Sequence, residues 1–277
     1  MEWNGLWGVF YGLLGGLFEF LPASPQVHQQ LLLKIAGLAS PGFGMTLAVH
    51  LGALAAVLVS CYRTVGKYFK EQKIRNQSRR YRMRQPDAAT VMEYRLLKIA
   101  AVPVFLSCLA ASWLGQYFER LWVLALLIIF NGVVVFLPHY MIRANKDARA
   151  MSPLDATLIG LGGVLGAVPG ISRVGVLTSV SSMRGLDGQF AMKFVLALMI
   201  PALIGSCIGD VGMLLISGNV QNGVPFWTAL LTFMAAFASA MFVIRMMRLL
   251  SAKGSYEGLA YYNWGLAMFT FIIYLIG

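Results

Sequence analysis

Six apolar runs constrain this chain more than any other feature: 41–62, 96–116, 121–141, 189–216, 225–244 and 258–276. Each is long enough to cross a bilayer, which takes about 20 residues as a helix. Backbone N–H and C=O groups find no water in hydrocarbon, so each run must satisfy its own groups as a helix. With 58% hydrophobic and 12% charged residues and a mean hydropathy of +0.71, the composition lies outside the soluble classes. The expected fold is all-α and integral to the membrane, one domain over 1–277. The start, "MEWNGLWG", has no basic n-region, so no cleavable signal peptide is expected. Cys61, Cys108 and Cys207 have no metal-type spacing and read as small packing residues.

Charge sets the orientation. Between Arg63 and Lys98 lie eleven basic residues against Glu71, Asp87 and Glu93, a balance of +8 within a chain of net +11. The core of this segment, "KIRNQSRRYRMRQ", could address nucleic acid. The simpler reading is a basic cytoplasmic loop, 63–95, that follows the positive-inside bias and touches anionic headgroups over 63–98; no nucleic acid partner is expected. Smaller clusters follow at Arg143, Lys146 and Arg149, and at Arg245, Arg248 and Lys253. Placing all three inside makes 96–116 run outward, 121–141 inward, 189–216 outward, 225–244 inward and 258–276 outward. The path closes only if 154–182 enters and leaves on the inner side and 5–36 does so on the outer side. Both are therefore expected as re-entrant helical hairpins.

The two dips are alike. "GLLGGLFEFLPAS" (Gly12–Ser24) and "GLGGVLGAVPGIS" (Gly160–Ser172) coincide at Gly12/Gly160, Leu13/Leu161, Gly15/Gly163, Leu17/Leu165 and Ser24/Ser172. Each carries a proline shortly before its serine, and each is followed by three spanning runs. The expectation is an inverted-topology repeat, 1–141 and 154–277, with six transmembrane helices and two re-entrant hairpins. Irregular backbone at membrane depth survives only when buried in protein or lining a wet cavity. The two dips should therefore share one cavity.

Ionisable groups at membrane depth cost roughly 2.5–3.5 kcal/mol each and mark function by default. Glu19 and His28 qualify in the first dip and Arg173 in the second. In "VPGISRVGVLTSV" a Pro-Gly turn, Ser172, Arg173 and Gly175 open a helix and suit a phosphate through backbone N–H groups and a bidentate guanidinium. Glu19 could pair with Arg173, accept a proton or help hold a divalent cation. His28 could relay a proton, attack phosphorus or simply pack. Ser24 is a weaker candidate. His50 is expected to face the interior behind the site, Asp210 to lie near the outer interface in a structural role, and His139 to be interfacial.

"GLLGGLFEFLPASPQVH" and "VPGISRVGVL" together resemble the two signature regions of the undecaprenyl-pyrophosphate phosphatases, integral-membrane enzymes that recycle the bacterial cell-wall lipid carrier. The family's regions read approximately E-G-x-x-E-F-L-P-[IV]-S-S-T-G-H and P-G-x-S-R-S-G-[AS]-T, and the resemblance spans nearly the whole chain. It implies a multi-pass protein of the bacterial plasma membrane. The implied activity is hydrolysis of a polyprenyl pyrophosphate to its monophosphate, dependent on Mg²⁺ or Ca²⁺. It also implies catalytic roles for Glu19, His28 and Arg173, with Glu19 at the metal, and substrate binding by Ser24, Gly170, Ser172 and Gly175. Gly15 stands where the family has its first glutamate, and Pro25 where it has its second serine, a proposed nucleophile. Gln26, Val27, Val174 and Leu177 also depart from the pattern. These departures keep a second reading open: a non-hydrolytic binder or flippase of polyprenyl phosphate on the same fold. A homodimer also stays open.

Overall fold

The computed structural model describes residues 3–81, 85–118, 120–140, 145–217, 225–253 and 256–276. Arg82, Arg84 and Arg143 and the connection 218–224 lie outside the described residues. Ten α-helices follow in order: α1 (Gly5–Phe20), α2 (Pro25–Ala36), α3 (Phe43–Tyr81), α4 (Ala88–Gly115), α5 (Leu121–Phe136), α6 (Pro153–Leu165), α7 (Arg173–Met183), α8 (Gly188–Ser217), α9 (Phe226–Lys253) and α10 (Glu257–Ile276). Six of the described helices, α3, α4, α5, α8, α9 and α10, are long and apolar enough to cross a membrane, and they coincide with the six apolar runs. Their outward faces carry Leu, Ile, Phe and Trp side chains such as Leu106, Leu126, Leu215 and Phe269, all exposed. That surface suits lipid rather than water.

The basic segment 63–95 differs from the expected loop. Helix α3 continues to Tyr81 and α4 begins at Ala88, so most of the charge sits on helical extensions beyond the apolar runs. A helix tolerates charge once it leaves the hydrocarbon, and Lys, Arg, Glu and Gln are good helix formers. Asp87 starts α4. It accepts from the Ala89 N–H (3.3 Å), the Thr90 hydroxyl (2.6 Å) and the Lys67 ammonium (3.0 Å). The Thr90 and Lys67 bonds hold its carboxyl down at about 2.

The order of two short helices followed by three long ones occurs twice. Helix α1 packs on α9 and α6 on α4; α9 packs on α3 and α4 on α8; α3 meets α8 and α5 meets α10. Exchanging the halves maps each of these contacts onto another or onto itself. Small residues make the closest approaches, as expected where lipid offers no hydrophobic drive between helices. Gly8, Gly12 and Gly16 recur every fourth residue of α1 and lie on Thr228, Thr232 and Ala236 of α9. The Thr232 hydroxyl donates to the Gly8 carbonyl at 2.9 Å. Gly160, the partner of Gly12 in the repeat, lies against the Ala100 carbonyl and Pro103 ring of α4.

The core joins the halves: Phe20, Ala53, Leu96, Ile159, Leu177, Phe194, Leu198 and Ile244 belong to one buried cluster. At the basic end, Lys193 of α8 reaches Glu93 of α4 at 2.7 Å, and Tyr68 of α3 donates to the same carboxylate at 2.5 Å. Asp155 closes a capping box with Ser152 and also binds Arg184 at 2.7 Å, tying the start of α6 to the end of α7.

A side chain at Gly12 would overlap the Thr232 backbone. Gly12→Val should therefore destabilise the protein by about 1–3 kcal/mol through overpacking, read as a lowered unfolding temperature in detergent. Gly66→Val, where a side chain meets open space, should be close to neutral.

Candidate active site

The two hairpin tips meet inside the bundle. Residues 21–24 and 166–172 interrupt the short helices because Pro22 and Pro25, and then Pro169-Gly170, break the helical ladder. Gly170 adopts φ 89°, and a Cβ there would meet Leu127 of α5, so the second tip needs a glycine. The freed backbone groups are satisfied across the halves. The Ser172 hydroxyl donates to the Leu21 carbonyl at 2.7 Å and accepts the Gly175 N–H that it caps at 3.1 Å. The Pro22 carbonyl accepts from Asn263 at 2.8 Å and from Asn131 at 3.2 Å. Asn131 Oδ1 in turn accepts the Ser172 N–H at 2.9 Å. Asn131 and Asn263 are fully buried on α5 and α10. Neither amide was among the residues singled out in the sequence, although an amide in the middle of an apolar run is a legible signal.

Beside the tips lies a cavity of about 370 Å³ walled by both hairpins, α3, α4 and α8. Ser40, Phe43, Gly115 and Phe118 line it too. These lie at or just before the start of α3 and at or just after the end of α4, so the cavity lies toward the end of the bundle opposite the basic extensions. Gln26, Gln29 and Gln30 of α2 give it a polar wall.

The cavity gathers a connected set of ionisable groups. Arg173 Nη2 lies 2.9 Å from Glu19 Oε1, with only 11% and 1% of the two side chains exposed. Arg173 Nη1 donates to the Ser206 hydroxyl at 2.7 Å and to Cys108 Sγ at 3.5 Å. Nη2 also approaches His50 Nε2 at 3.4 Å. His50 Nδ1 bonds Asp210 Oδ2 at 2.6 Å, and the Ser112 hydroxyl donates to Asp210 Oδ1 at 2.5 Å. The carboxylate accepts and the guanidinium only donates, so His50 carries its proton on Nδ1 and offers Nε2 as an acceptor.

Of the residues singled out in the sequence, Glu19 and Arg173 line this cavity; Ser24, His28, Gly170, Ser172 and Gly175 do not. Ser172, Gly175 and Gly170 shape the second tip. Ser24 is fully buried at the start of α2, and its hydroxyl has no hydrogen-bond partner. His28 stacks on Phe18. Its Nδ1 donates to the Ser24 carbonyl at 2.6 Å, and its Nε2 accepts from the Tyr262 hydroxyl at 2.6 Å. Both ring nitrogens are thus engaged away from the cavity. Asp210 differs from its expected place at the outer interface. It is fully buried, because α8 continues to Ser217 beyond it and the cavity cuts inward to meet it. His50 stands in the cavity wall rather than behind it. His139 is half-exposed on Glu257, as an interfacial residue should be.

Removing one partner of a buried ion pair strands the other charge, at a cost of about 3–5 kcal/mol. Glu19→Ala and Arg173→Ala should each lower the unfolding temperature, and the double variant should be more stable than either single one. Thermal unfolding of the four proteins in one detergent measures this.

The comparisons agree with this architecture. The family model of the bacitracin resistance protein BacA matches residues 8–269. An undecaprenyl-diphosphatase of Carboxydothermus hydrogenoformans is 29% identical over 99% of this chain and 99% of its own. One of Nocardioides is 24% identical over 96% of this chain and 95% of its own. One of Syntrophotalea carbinolica is 28% identical over 88% and 92%. With one family pattern running through both hairpins and all six spanning helices, this chain belongs to the BacA family of bacterial multi-pass membrane proteins.

Proposed function

We propose that this protein hydrolyses undecaprenyl pyrophosphate to the monophosphate and inorganic phosphate in the bacterial plasma membrane, so recycling the lipid carrier. The carrying observation is Arg173, a guanidinium held by Glu19 and Ser206 in the wall of a cavity that both hairpins enclose. A planar fork of N–H donors in a site shielded from bulk water suits a phosphate group whose charge grows in the transition state. The cavity is of a size for the pyrophosphate headgroup, leaving the polyprenyl chain to the lipid-facing exterior. Relatives of nearly the same length carry the undecaprenyl-diphosphatase name. Halves 1–141 and 154–277 then act as an inverted repeat whose dipping hairpins build the cavity, a reading supported by the shared packing of Gly12 and Gly160.

The family implies a divalent cation. Among the described residues no three His, Cys, Asp or Glu side chains group as ligands. Glu19 is ion-paired with Arg173 although its buried Oε1 has no hydrogen-bond partner, and Asp210 is bonded to His50 and Ser112. The donor set does not form a resident metal site, and an adjacent guanidinium repels a dication. One guanidinium faces two carboxyl groups in the cavity wall, a balance that does not by itself favour a pyrophosphate. The cation therefore belongs on the phosphate oxygens, as Mg²⁺ commonly is, and arrives with the substrate. At the opposite end, exposed Arg63, Lys67, Lys70 and Lys73 on α3 place a basic face against anionic headgroups.

Purified protein should release inorganic phosphate from undecaprenyl pyrophosphate, and Arg173→Ala should lower kcat/KM by about 10²–10³-fold. Failure to exceed that variant's rate would favour a non-hydrolytic binder. Chelator should abolish turnover and Mg²⁺ or Ca²⁺ restore it. The half-saturating cation concentration should change by less than about threefold in Glu19→Gln, because the substrate carries the ligands; a larger shift would return Glu19 to the metal.

A further inference from the structure

We propose that His50, oriented by Asp210, is the general base that activates the attacking water; this rests on the hydrolase reading above. His50 is the imidazole among the residues lining the cavity, whereas His28 has both nitrogens occupied by Ser24 and Tyr262 outside it. The first tip supplies no competing nucleophile to the cavity. Pro25 lines it without a hydroxyl, and the Ser24 hydroxyl is buried away from it. Ser112 and Ser206 line the cavity but bond to Asp210 and Arg173, with neither on the imidazole.

The geometry around His50 is that of an oriented base. Asp210 fixes the Nδ1–H tautomer at 2.6 Å, and Ser112 pins the second carboxylate oxygen at 2.5 Å. A buried carboxylate so held turns the imidazole and stabilises the imidazolium that forms when it takes a proton. The acceptor Nε2 faces Arg173 Nη2 at 3.4 Å, a long contact for a hydrogen bond. A phosphate oxygen that bonds this guanidinium competes with Nε2 for its hydrogens. Substrate binding thus frees the base beside the phosphate that it serves. The residues are far apart in sequence, with His50 on α3 and Asp210 on α8.

In the step itself, the water oxygen forms a bond to the terminal phosphorus. The bond from that phosphorus to the bridging oxygen breaks, and its electron pair leaves on the polyprenyl monophosphate. One water proton passes to His50 Nε2 and the other stays on the inorganic phosphate. The imidazolium then returns its proton to solvent in the cavity. Arg173 is a binding group in this step, and Asp210 is a positioning residue that acts through His50.

The test uses full-length protein in detergent with Mg²⁺ and undecaprenyl pyrophosphate. His50→Ala should lose about 10²–10⁴-fold in kcat with KM within about threefold, and added imidazole should restore at least tenfold of the loss. Asp210→Asn should lower kcat at least tenfold, and His50→Ala/Asp210→Asn should be no slower than His50→Ala alone, because the pair acts as one unit. His50→Gln replaces His50→Ala if the latter is not monodisperse. Active wild type with either His50 variant within about threefold of its kcat, or with the loss confined to KM, overturns the assignment and leaves the hydrolase reading standing. A wild-type protein without turnover overturns both.

Discussion

The structure depends on how two interrupted helices satisfy their backbone inside an apolar bundle. An orphaned carbonyl at that depth costs several kcal/mol. Here the Leu21 and Pro22 carbonyls of one tip are met by Ser172 of the other and by Asn131 and Asn263 of α5 and α10. The Ser172 and Asn263 bonds cross between halves, so neither hairpin can take this form without its counterpart. Hydrogen bonds of this kind also fix where α7 begins. The first residue of that helix is Arg173, and the position of the guanidinium follows from the position of the tip.

Arg173 then organises the charges around it. Three helices approach it, bringing Glu19, Ser206 and His50, and Asp210 stands behind His50. Burial raises the strength of each interaction and the cost of leaving any one unmade. Such a set is stiff and oriented before a phosphate enters, which is the condition for electrostatic catalysis. It also divides labour between the motif residues. Ser172, Gly170 and Gly175 build the tip, His28 locks the first hairpin to α10 through Tyr262, and Glu19 and Arg173 face the cavity.

Much of the fold was legible because lipid leaves few choices. Long apolar runs become helices, and all six appear with ends within a few residues of those expected, save where charged extensions prolonged α3 and α9 and started α4 early. The paired glycines were legible too, and Gly12 and Gly160 each mark a close helix approach. Glu19 and Arg173 stood out because ionisable groups at membrane depth are costly. Asp210 stood out for the same reason but was placed too near the surface, since its run alone does not reveal a cavity cut in from the side. His28 carried the family pattern, yet its contacts depend on Tyr262, 234 residues away in the chain.

The sequence by itself determined the spanning helices, their alternation, the two breaks and the identity of the buried charges. Those follow from hydropathy, proline chemistry and the cost of charge in hydrocarbon, which are local or additive properties. Only the tertiary structure decided which polar groups share the cavity. Asn131 and Asn263 were drawn to the tips, His28 was drawn away from the cavity, and His50 met Asp210 across α3 and α8. Hydrogen bonds between distant helices are settled by packing and direction, and a linear pattern of residue types carries neither.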